Sequence, residues 1–130
     1  MSRRQKLEKI IIGTLLESNS ERNYFDECKA IIPEMFTDDV NRRLFTIISE
    51  MNAAGKKETD PCSIYKEYDF MVADILPRML ELCTDYSFIH LKMEYNERRY
   101  IDSCITGNEY KGTDVQFVDY IKQFLTVVYS

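Results

Sequence analysis

Tryptophan is absent from this 130-residue chain, histidine occurs once, and there are only four cysteines, four glycines and three prolines. So little glycine and proline excludes a collagen-like or low-complexity chain. Hydrophobic residues at 45% and aromatics at 12% exclude a disordered tail. No apolar run approaches the ~20 residues of a membrane-spanning helix, so no membrane association is expected. The N-terminal stretch MSRRQKLEK is basic, but the apolar segment after it is short and lacks a small-residue cleavage site. It does not read as a secretory signal, and cytoplasmic residence is expected.

The cysteines, Cys28, Cys62, Cys83 and Cys104, include no C-x-x-C pair, and only His90 could join them around a metal. Reduced, partly buried thiols are the simpler reading, so neither metal nor cofactor is expected. Positive charge is also in short supply: the net charge is −5. A protein that grips phosphate backbones needs a basic face. The pairs Arg42 with Arg43 and Arg98 with Arg99 are local exceptions. Adjacent helical residues point about 100° apart, so neither pair makes a patch alone. Direct or strong DNA contact is therefore not expected.

What the sequence has in quantity is helical periodicity. Leu7, Ile11 and Leu15 form one line of a first helix from about Arg4 to Glu17, with Ile12 and Leu16 beside it. Ser18 and Glu21 have capping-box spacing and predict a second helix that buries Tyr24, Phe25, Cys28, Ile31 and Ile32 until Pro33 stops it. Thr37 is the expected N-cap of a third helix, with Asp38 and Asp39 against its positive end and a stripe of Val40, Leu44, Ile47, Ile48 and Met51. Gly55 supplies its stop, and Asp60 caps a short helix with Pro61 at its first position. Further helices are expected over 72–83 and 85–105. The loop 106–114 reads as a linker, and a last helix carries Val118, Ile121, Leu125 and Val128 in 3-4-3 spacing. With no hairpin chemistry for strands, the fold expected is an all-α, compact multi-helix bundle with a C-terminal helical hairpin. Residues 1–105 form its helical domain, and residues 106–130 provide the linker and the helix that completes the hairpin.

Site chemistry is sparse. Gly55 and Lys56 are followed by Lys57 and preceded, five positions earlier, by Glu50, so no phosphate-cradling G-x-x-x-x-G-K-[ST] motif exists. Neither G-x-S-x-G nor H-E-x-x-H occurs, and His90 has no relay partner nearby. The acidic pairs Asp26 with Glu27 and Asp38 with Asp39 lie in early helical turns, where carboxylates complement the dipole. No catalytic residue is assigned, and the chain is not expected to be an enzyme.

Two stretches, EKIIIGTLLES and PEMFTDDVNRRLFTIISEMNAAGKKETDP, resemble the N-terminal domain of the DnaB-type replicative DNA helicases. That family opens with a glutamate, aliphatics leading to a glycine five residues later, and a leucine pair, here Glu8, Ile11, Ile12, Gly13, Leu15 and Leu16. Its next signature is a phenylalanine, a His-Arg pair, an aromatic, a glycine turn and an aspartate. Those places hold Phe36, Asn41, Arg42, Phe45, Gly55 and Asp60, with Asn41 departing from the usual histidine. The resemblance covers residues 4–68 and becomes diffuse beyond them.

The resemblance implies a helical, non-catalytic module of DNA replication: a collar above a motor ring that assembles through helical hairpins and docks primase or a helicase loader. An ATPase motor would lie beyond a linker, leaving open whether this chain is an excised domain or a free-standing relative. The helices at 85–105 and 114–129 carry more apolar positions than one side buries, so Tyr95, Val118, Ile121 and Leu125 are expected to pack against another copy in a dimer or ring. Gly13 sits in a helix interior at a cost of roughly 1 kcal/mol. Either it admits a close neighbour, the helix bearing Phe36 and Phe45, or it is a tolerated irregularity. Two alternatives share the composition: a small DNA-binding regulator with Arg42 and Arg43 or Arg98 and Arg99 leading a recognition helix, and a mobile-element protein that intercepts a host helicase.

Overall fold

In the computed structural model, residues 2–60, 63, 64, 78 and 114–130 are described. They form three α-helices, α1 (Arg3–Leu15), α2 (Asp39–Ala53) and α3 (Asp114–Tyr129), with 3-10 turns at Tyr24–Cys28 and Pro33–Met35. Among the described residues there is no strand, and no helix is long and apolar enough to cross a membrane. The helices expected over 72–83 and 85–105, His90, Tyr95, the arginine pair at 98 and 99, and the loop 106–113 lie outside the described residues.

Helix α1 starts on a capping box. Ser2 Oγ accepts from the Gln5 N–H at 3.2 Å, and Gln5 Oε1 accepts from the Ser2 N–H at 2.9 Å. Leu7, Ile11, Ile12 and Leu15 are buried as their spacing predicts, but from Ile11 to Leu16 every residue is buried. A helix enclosed on all sides is a core helix, and α1 touches both α2 and α3. Its C-terminal end is closed by Thr59, itself fully buried, whose hydroxyl donates to the Leu15 carbonyl at 2.7 Å. Gly13 lies in this enclosed stretch without a positive φ, so the position does not draw on glycine's backbone freedom.

The helix expected after Ser18 does not form. Ser18 Oγ accepts instead from the Tyr24 N–H, while Asn19 Oδ1 takes the N–H groups of Glu21 and Arg22. Asn23 then caps only the five-residue 3-10 turn, accepting from the Phe25 N–H at 3.1 Å. Short polar side chains have taken the backbone donors that a helix would have used. Pro33 opens a 3-10 turn where a helix was expected to stop, and Ile32 before it is extended and 50% exposed, not buried. Cys28 and Ile31 are buried as expected, and Tyr24 and Phe25 pack at the edge of the core.

Helix α2 follows the expected stripe: Leu44, Ile47, Ile48 and Met51 are buried and Val40 packs beside them. Its N-cap is Asp38 and not Thr37, because the Asp38 carboxylate accepts from the N–H groups of Val40 and Asn41 at 2.9 and 3.0 Å. The helix ends in a Schellman arrangement, with the Lys56 N–H on the Met51 carbonyl, the Gly55 N–H on the Asn52 carbonyl, and Gly55 at φ +81°. Asp60 restarts a turn by accepting from the N–H and hydroxyl of Ser63. A Cβ at Gly55 would meet nothing within 4 Å, so the cost of replacing this glycine lies in the backbone alone. Gly55→Ala is expected to destabilise by about 1 kcal/mol in urea unfolding, and Gly55→Asn by less, since asparagine tolerates the left-handed region.

In α3 the buried positions are Phe117, Ile121 and Phe124, one step round the helix from the expected 118-121-125-128 line. The large rings take the interior: Tyr24 meets Phe117 edge-on at 5.6 Å, and Phe36 lies 5.3 Å from Phe124 and 5.0 Å from Phe45. Ile121, expected on a surface shared with another copy, is therefore part of this chain's own core at 6% exposure. Leu125 packs against the same core, whereas Val118 is half-buried outside that cluster.

Candidate functional site

Four of the residues singled out in sequence, Glu8, Phe36, Arg42 and Phe45, converge on the start of α2. Glu8 projects from α1 with no exposed surface, and its carboxylate accepts from the Thr37 N–H at 3.1 Å, the Thr37 hydroxyl at 2.5 Å and the Asp38 N–H at 3.2 Å. These two N–H groups precede the helix, beyond reach of the Asp38 cap. Glu8 and Asp38 thus divide the donors at the helix entrance between them, and both negative charges face the positive end of the dipole.

Arginines brace the same corner. Arg42 donates to the Phe36 carbonyl at 2.9 Å and pairs with Asp39 at 3.3 Å, while Arg4 donates to the Met35 carbonyl at 2.6 Å. Phe36 is held between them with its ring in the core. Glu8, Phe36, Arg42 and Phe45 therefore belong to one junction between α1, α2 and α3. Gly13, Gly55 and Asp60 do not; the last two close α2 and open the next turn. Sequence reasoning passed over Arg4 and the donor role of Thr37, because such contacts span 29 to 31 residues and leave no local periodic signal.

On the outer side of the junction, Gln5, Lys9, Asp38, Asn41 and Arg78 line a cavity of about 290 Å³ that opens to solvent. Arg78 donates to Asp38 at 3.0 Å and, at 3.4 Å, to the side-chain oxygen of Asn41, which is only 2% exposed. Burial alone would raise the Asp38 carboxyl, but the N–H groups of Asn41 and Val40 together with Arg78 outweigh it and hold the pKa below its ordinary 3.8. A lowered native pKa contributes stability above 3.8 that is lost as the pH falls through the folded value. Asp38→Asn is expected to flatten the fall in urea midpoint between about pH 5 and pH 2.

Elsewhere, burial and then the neighbouring Glu27 push the Cys28 thiol up to about 12, which keeps it protonated and inert. Among the described residues no group of three or more His, Cys, Asp or Glu side chains could hold a metal ion. Both carboxylates of the junction are occupied with backbone donors, an arrangement that builds a joint and leaves no base poised for proton transfer.

Comparison with curated proteins and with solved structures gives no match. The model of the DnaB-like helicase N-terminal domain matches residues 1–79, a span that takes in α1, α2, Arg78 and the Glu8, Thr37, Asp38 and Arg42 side of the junction, but not α3. This all-α chain therefore belongs to the DnaB-like helicase N-terminal domain family.

Proposed function

We propose that the chain serves DNA replication as a non-catalytic docking and self-assembly module, the collar part of a DnaB-type helicase, which associates with further copies and receives primase or a helicase loader. The family match carries this reading, since the N-terminal domain alone is the non-catalytic part of such helicases. The Glu8 junction supports it: a joint built from saturated carboxylates suits a rigid body that presents a surface. The recognition-helix alternative led by Arg42 loses that side chain to the Phe36 carbonyl and to Asp39, while its version with Arg98 and Arg99 lies outside the described residues.

Val118 is the better probe of self-association, as Ile121 and Leu125 are tied to this chain's core. In sedimentation equilibrium the wild type is expected to run at a multiple of 15.4 kDa. Val118→Asp should shift it toward the monomer while the helical circular dichroism is kept. A wild type that remains monomeric across the concentration series would overturn the self-assembly part of the reading.

A further inference from the structure

We draw no further inference here: the strongest candidate, the basic surface patch on the first turn of α1, where Arg3 donates to Gln123 at 3.2 Å and Lys6 is exposed, is a helix N-terminus with surface charges, and nothing in the structure shows what covers it.

Discussion

Phe36→Ala is expected to lower unfolding stability by about 3–5 kcal/mol, the usual result of deleting a fully buried ring. Phe36 has no exposed surface, and its ring sits 5.0 Å from Phe45 of α2 and 5.3 Å from Phe124 of α3. It thus touches two helices while belonging to neither. Its backbone is fixed independently, with its N–H on the Pro33 carbonyl at 3.1 Å and its own carbonyl under Arg42. The surroundings therefore cannot collapse into the vacated space by moving the chain, and the cavity term adds to the lost transfer energy. Domains of this kind have about 5–15 kcal/mol in all, so the urea midpoint should fall by about a fifth or more. Phe36→Leu, which keeps most of the volume, should cost less than about 1.5 kcal/mol. A loss below 1 kcal/mol for the alanine variant would mean that the contact with α3 does not hold the core together.

Legibility in sequence followed the range of the interactions. Helix α2 was readable because a polar start at residues 37–39, a long apolar stripe and Gly55 all say the same thing within one stretch of chain, although the cap itself fell on Asp38 and not on Thr37. The segment 18–33 misled because its apolar spacing resembles a helix while Ser18, Asn19 and Asn23 bond the backbone in competing ways. In α3 the period was right and the face was wrong by one step, since periodicity cannot say that Phe117 and Phe124, not Val118 and Leu125, will find aromatic partners elsewhere. The site was legible only through family resemblance. Taken alone, Glu8 is an ordinary charge in a helix beginning with Arg3, Arg4 and Lys6, and nothing nearby announces that it will be buried. The contacts that bury it come from residues about thirty positions away.

Glu8→Ala should therefore cost far more than a surface glutamate would, about 3 kcal/mol in the same urea assay, because it strips the acceptor from the N–H groups of Thr37 and Asp38 and from the Thr37 hydroxyl. Glu8→Gln separates shape from charge. The amide keeps the volume but turns its own NH₂ toward donors, so it is expected to recover little of the loss. A double-mutant cycle with Thr37→Val isolates the hydroxyl contact, and a coupling of about 0.5–3 kcal/mol is expected for groups in direct contact. The energetic logic is that of a helix entrance: Asp38 satisfies the N–H groups of Val40 and Asn41 from within the chain segment, whereas the two N–H groups before them depend on a carboxylate delivered by another helix. Removing Glu8 thus unfastens α1 from α2 and frees the start of α2 together. If Glu8→Ala instead left the midpoint unchanged while abolishing association in the centrifuge, Glu8 would belong to the docking surface and not to the joint beneath it.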